Sequence, residues 1–237
     1  MKILALDTSS QAASCALVCD GALVCENFAN NGLTHSQTLM PMIEQLLGRA
    51  GIRICDIDVF AVSTGPGSFT GLRIGISSVK GMAMAANKPC AAVPTLFGLA
   101  CNAQLFDGYV AAVMDARRSQ FYTALFECRG LSVSRKSPDE AISAEDLRER
   151  LCAVAPAPVL LIGDGALIAS QEFSGIPHIS AAPERFLHQR AGSVGFAALE
   201  MANRGELLSA EEIAPGYLRL PQAERERLER QLTVDNE

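Results

Sequence analysis

Residues 2–24, KILALDTSSQAASCALVCDGALV, read as an apolar strand ending in an aspartate, a polar turn, a second strand, a glycine turn and a third strand. The same order recurs in residues 109–133, YVAAVMDARRSQFYTALFECRGLSV. Asp7 stands nine residues before Ala16-Leu17, and Asp115 stands nine before Ala124-Leu125. One extra residue then separates the pair from the turn glycine, which is Gly21 in the first copy and Gly130 in the second. Each copy continues into an apolar strand that ends in Gly-x-Gly, VFAVSTGPG (59–67) and PVLLIGDG (158–165), and each glycine pair is set to open a helix. Four features recurring in one order favour duplication over coincidence.

Between these landmarks the period changes to that of a helix. THSQTLMPMIEQLLGRAG carries apolar residues at 39, 43, 46, 47 and 50, one helix face closed by Gly51. Pro41 fits that helix if it starts near Thr38 and kinks the first turn otherwise. Further helices are expected over 70–87, over 143–153 with Ser143 as cap, and over 192–204 before Gly205. A meander followed by α/β units, twice over, predicts an α/β fold of two similar lobes. The boundary falls between 1–105 and 106–222, with a charged tail over 223–237. This is the plan of the actin-like ATPases (ribonuclease H-like, the group of hexokinase and Hsp70), in which a nucleotide lies between lobes. Fold analogy alone does not establish chemistry.

Composition narrows the options. With 237 residues and 49% hydrophobic content, the chain can bury a substantial core. A net charge of −6 opposes independent binding of a phosphate backbone, so a nucleic-acid role calls for a basic partner. The N-terminal stretch meets Asp7 too soon for a signal peptide, and no apolar run approaches a membrane span, so a cytoplasmic protein is expected. The eight cysteines form no CxxC pair and mostly sit in apolar segments, where they read as reduced, buried small hydrophobes.

The glycine-rich stretch GPGSFTGLRIG (65–75) raises the question of a phosphate site. Leu72 follows Gly71 where a Walker loop needs its lysine, and the glycine spacing is one residue too long for a dinucleotide fingerprint. What remains is a helix N-terminus with Ser68 or Thr70 as cap, whose free N–H groups beside Gly67 could accept an anion. Asp7, supported by Ser9, either water-bridges a metal or ties down its own turn. The three histidines include no pair four apart on a helix, so no metal site is expected and a metallopeptidase is disfavoured. No GxSxG elbow exists and no cysteine is marked as a nucleophile, so no catalytic residue is assigned.

The helix from Gly71 has small residues at Gly71, Gly75 and Ser78 along one stripe, continuing to Met82, and Leu72, Ile76, Val79 and Ala83 along another. Glycine inside a helix costs about 1 kcal/mol against alanine, so close packing is the expected compensation. The neighbour is either the helix at 38–50 of the same chain or one from another subunit.

ILALDTSS, HSQTLMPMI, STGPGSFTGLRIG and PGYLR (215–219) together resemble the bacterial TsaB family, also called YeaZ, over almost the whole chain. The resemblance implies the two-lobed actin-like fold and a part in making N6-threonylcarbamoyladenosine at position 37 of tRNA. It implies a non-catalytic subunit that binds TsaD together with TsaE, forms a homodimer when alone, and meets tRNA only through the complex. No cofactor is implied for the subunit itself, ATP and Mg²⁺ belonging to the assembled complex. On the matching positions, the partner interface would comprise His35, Leu39, Met42, Ile43 and Leu46 on one helix, and Leu72, Arg73, Ile76, Val79 and Met82 on the next. Residues 131–190 carry no motif that can be assigned.

Overall fold

The computed structural model describes residues 1–219, so the expected charged tail lies outside the described residues. The first half runs β1 (Lys2–Asp7), β2 (Ala13–Cys19), β3 (Ala22–Ala29), α1 (His35–Ala50), β4 (Val59–Gly65), α2 (Phe69–Ala86), β5 (Cys90–Pro94) and α3 (Thr95–Cys101). The second runs β6 (Gly108–Asp115), β7 (Gln120–Arg129), β8 (Ser132–Arg135), a short β9 (Glu140–Ser143), α4 (Ala144–Cys152), β10 (Val159–Ile162), α5 (Ala166–Glu172), β11 (Ile179–Ala181) and α6 (Ala191–Asn203). The two sheets have strand orders β3-β2-β1-β4-β5 and β8-β7-β6-β10-β11, the same order in each half, with β9 pairing on β7. In both, the meander is antiparallel and the central strand pairs in parallel with the strand before the glycine turn. This is the duplicated actin-like α/β plan that the sequence pattern predicts.

The likeness reaches the backbone. Gly65 and Gly163, the first glycines of the two Gly-x-Gly turns, have φ of +129° and +123°, where a side chain is strained. The equal nine-residue spacing from aspartate to alanine-leucine, however, does not give equal pairing. Ala16 lies opposite Ala5, two residues before Asp7, whereas Ala124 lies opposite Ala112, three residues before Asp115. The second hairpin turn is one residue shorter, and register follows loop length.

Helices α1 and α2 cover one face of the first sheet. Leu39, Ile43, Leu46, Leu72 and Val79 pack there with Leu4, Leu6, Phe60 and Val62. The other face is covered by α6, whose Ala191, Val194, Ala197 and Ala198 lie against Ile3, Ala5, Ala16 and Val18. Reciprocally, α3 contributes Leu96, Leu99 and Ala100 to the core of the second sheet. A division at 105/106 therefore separates the sheets but not the cores, because the corresponding helices α3 and α6 each cross to the opposite lobe. The chain after α6 also returns to the first lobe, where Leu208 pairs with Cys90 and Ile213 joins the core.

Helix ends follow the expected chemistry. Ser68 Oγ accepts from Gly71 N–H and Ser143 Oγ from Asp146 N–H, while Gly51 closes α1 at φ +64°. Pro41 differs from expectation, since α1 starts at His35 and holds the proline inside. The carbonyl that loses its donor belongs to exposed Gln37, which water can serve. All eight cysteines are free thiols, but Cys55 and Cys152 are exposed rather than buried. Among the described residues no helix is long and apolar enough to cross a membrane.

Candidate functional site: the interlobe cleft and the outer helices

β1 ends at Asp7, which is 1% exposed. Its Oδ1 accepts from Ser9 N–H and Ser9 Oγ–H, each at 2.9 Å, and its Oδ2 accepts from Ser63 Oγ–H on β4. Burial pushes the Asp7 carboxyl above its ordinary value, and the Ser63 and Ser9 hydrogen bonds pull the other way. Ser9 O in turn accepts from Ser68 N–H at 2.7 Å, which ties the turn to the start of α2. The aspartate therefore braces its own turn, and its burial leaves no face for a hydrated metal ion.

Thr8 explains the small-residue stripe of α2. Its Oγ1–H donates to Gly71 O at 2.8 Å. A Cβ on Gly71 would stand 2.0 Å from Thr8 O, and one on Gly75 would stand 2.4 Å from Thr8 Oγ1. Close packing does compensate these glycines, and the nearest neighbour is the β1–β2 turn of the same lobe, with His35 at the start of α1 3.3 Å from a Cβ on Gly71.

Between the lobes lies a cleft of about 640 Å³. The first lobe supplies Ser9, Ser10 and Gly67 to Thr70, and the second supplies Asp115, Arg117, Tyr122 and Asp164. Asp164, from the second Gly-x-Gly turn, accepts from Asp115 N–H at 3.1 Å, and burial raises its carboxyl above the ordinary range. The cleft is closed at one side by residues 216–219. Gly216 N–H donates to Thr64 O at 2.7 Å, Tyr217 stacks on Phe69 at 4.7 Å, and Arg219 Nη1–H donates to Ala116 O at 2.9 Å across the lobes. Arg117, Arg118 and Ser119 all have φ between +55° and +61°, an unusual run without glycine that shapes the turn. Sequence reasoning missed Arg117, Asp164's pairing with Asp115, and Arg219. The ARRS turn in the second copy, set against TSSQ in the first, was the available signal.

Of the expected anion-site residues, Ser9, Gly67, Ser68 and Thr70 do line this cleft, while Asp7 is sealed beneath it. The N-terminus of α2 is partly taken, since Ser68 N–H serves Ser9 O and Gly71 N–H serves Ser68 Oγ. Asp7, tied to three donors and out of contact with solvent, does not fit the role of a Mg²⁺-facing carboxylate. Among the described residues, no three His, Cys, Asp or Glu side chains stand close enough to hold a metal ion.

The residues expected at a partner interface divide sharply. Leu39, Ile43, Leu46, Leu72, Ile76, Val79 and Met82 are buried inside the first lobe and join α1 and α2 to the sheet and to each other. The second apolar stripe of α2 is thus met by the same chain. His35 and Met42 are half-buried, with His35 Nε2 2.8 Å from Ser10 O. Arg73 is exposed, but its guanidinium lies 3.8 Å over Phe69 and its Nε–H donates to Tyr217 Oη at 3.0 Å. The rest of the outward face of the helix pair consists of other residues. Met40 is 48% exposed and Met84 60% exposed, and a Cβ on Gly48 or Gly81 would meet open space.

Comparison with known proteins agrees with this architecture. The family model for TsaD, tRNA N6-adenosine threonylcarbamoyltransferase, matches residues 30–155. The chain is 31% identical to the tRNA threonylcarbamoyladenosine biosynthesis protein TsaB of Bacillus subtilis, over 98% of its own length and 100% of that protein. It is 40% identical to the Escherichia coli TsaB over 54% of its own length and 55% of that protein. Among solved structures, YeaZ from Pseudomonas aeruginosa superposes with a TM-score of 0.80 at 30% identity, covering 92% of this chain and 99% of that one. Near full-length likeness in sequence and in fold, with the GPGSFTGLRIG turn seated on the β1–β2 loop, makes the chain a member of the TsaB/YeaZ family of tRNA threonylcarbamoyladenosine biosynthesis proteins, related to TsaD.

Proposed function

We propose that the protein is the non-catalytic subunit of the complex that makes N6-threonylcarbamoyladenosine at position 37 of tRNA, and that it binds TsaD through the outer face of α1 and α2. The observation that carries this reading is Gly81, in the C-terminal half of α2 with open space where a side chain would stand, near Met84 at 60% exposure. A helical glycine without a neighbour costs about 1 kcal/mol, and the close approach of a partner helix supplies the missing compensation. On α1, Met40 is 48% exposed and a Cβ on Gly48 would likewise meet open space. The sealed Asp7 supports a subunit that does no nucleotide chemistry by itself, leaving ATP and Mg²⁺ to the assembled complex. In this reading TsaE joins the pair, tRNA is met only through the complex in the cytoplasm, and the isolated protein pairs with a second copy through the same face.

The test is Met84→Glu, which charges the outer face without entering the core. The variant is expected to stay folded as a monomer, with an unchanged circular-dichroism spectrum, while losing co-purification with TsaD and tRNA modification in the reconstituted system. Undiminished capture and modification would remove the reading. An ATP-binding enzyme is the second reading, favoured by the Arg117 and Arg219 cations in the cleft. Calorimetry with Mg-ATP separates the two, since tight one-to-one binding by the isolated protein, lost in Arg117→Ala, belongs to the enzyme reading alone.

A further inference from the structure

On α2 the residues Thr70, Arg73, Ser77, Gly81 and Met84 are exposed, and their steps of three and four place them in one row along the helix. Arg73 is the single charged side chain of that row. We propose that its guanidinium receives a side-chain carboxylate of the partner protein, and that Tyr217 is the residue that positions it. The inference rests on the reading that this face of α2 meets TsaD.

The cation is held before any partner arrives. Phe69 stands four residues before Arg73, where a long helical side chain directed toward the N-terminus meets it. The guanidinium lies 3.8 Å over the Phe69 ring, and its Nε–H donates to Tyr217 Oη at 3.0 Å. Tyr217 is fixed in turn. Its ring stacks on Phe69 with centroids 4.7 Å apart, and the preceding Gly216 donates N–H to Thr64 O at 2.7 Å. A free arginine side chain loses much rotamer freedom when it is bound, and here the stack and the hydrogen bond have already removed part of it.

What the guanidinium still offers defines the group it takes. With Nε–H committed to Tyr217, the Nη1 and Nη2 donors remain without a partner among the described residues. Two donors side by side in one plane match the two oxygens of a carboxylate. The uncharged side chains in the rest of the row suit the close approach of a protein surface. A phosphate backbone fits less well, because the chain carries a net charge of −6.

The experiment measures affinity for immobilised TsaD by surface plasmon resonance, at concentrations that keep this protein monomeric. Arg73→Ala is expected to bind about tenfold more weakly, with the ratio to wild type shrinking as salt rises from about 0.05 to about 0.5 M. Tyr217→Phe keeps the stack and removes the acceptor, and is expected to weaken binding about threefold. In the Arg73→Ala background the same change should weaken it no further. An Arg73→Ala affinity within about twofold of wild type overturns the proposal. So does a ratio that salt leaves unchanged, or a Tyr217→Phe loss that persists without Arg73. Weaker tRNA binding by the assembled complex at unchanged TsaD affinity assigns the guanidinium to a phosphate and overturns it as well. Met84→Glu probes the face and Arg73→Ala the pairing, so TsaD binding lost in the first variant alone retires this inference and leaves the face reading in place.

Discussion

The two lobes are copies of one plan that have diverged in what they bury. In the first, the strand-ending aspartate is 1% exposed and held by Ser9 and Ser63; in the second, Asp115 is exposed and accepts only from Arg117 N–H within its own turn. The helices that follow the corresponding strands differ as strongly. α1 and α2 are 16 and 18 residues long, while α4 and α5 are 9 and 7. A shared strand order therefore fixes where elements go, and the number and size of side chains available decide how much each lobe seals. The first lobe gained a thick helical layer with an outer face of its own; the second kept a thin one.

Substitutions at corresponding helices can break this comparison. The largest effect is expected from Ile76→Glu on α2, which places an unpaired charge at a 5% exposed position and should cost about 4 kcal/mol or more in chemical denaturation. Ile168→Glu on α5, at 46% exposure, should cost less than about 0.5 kcal/mol. Equal losses would mean that the thin layer seals as well as the thick one. Next in size is Gly71→Ala, whose new Cβ meets the backbone oxygen of Thr8 and should remove about 2–3 kcal/mol, read from the urea midpoint.

The aspartate pair sharpens the comparison through pH. Asp7→Asn replaces an acceptor of three hydrogen bonds with a group that also donates, and should cost about 1–2 kcal/mol. Asp115→Asn should cost less than about 0.5 kcal/mol. Because burial raises the Asp7 carboxyl in the folded state, the folded protein holds that proton more tightly than the unfolded chain. That contribution is full below the ordinary carboxylate range and lost as pH rises through the folded value. The wild-type margin over Asp7→Asn should therefore widen as pH falls from 7 toward 4. A Asp7→Asn margin that shrinks toward acid would reverse the assignment of burial as the main cause. The smallest effect concerns the outer face: Gly81→Ala should stabilise the monomer by about 1 kcal/mol, read from the urea midpoint at concentrations low enough to keep the protein monomeric, because nothing in the same chain within 4 Å opposes the added methyl.

Much of this was legible along the chain. The duplicated meander, the glycine turns, the helix over 70–87 and the Ser68, Ser143 and Gly51 ends are local signals, set by side-chain periodicity and by the few residues that tolerate a given turn. The family resemblance rode on the same short stretches. α3 was not legible, because TLFGLAC is too short and too uniformly apolar for its period to show. Nor was the one-residue difference in register, which equal spacing within each copy concealed.

The sequence by itself determined that α2 has two faces needing cover, since its apolar and small residues recur at helical spacing. Only the tertiary structure decided what covers them: Thr8 for Gly71 and Gly75, the first sheet and α1 for Leu72 and Val79, and open solvent for Gly81 and Met84. Periodicity is a property of neighbours three and four apart, whereas the identity of a covering group depends on segments brought together from distant parts of the chain. α6, crossing from the second half to the first lobe's sheet, shows the same limit.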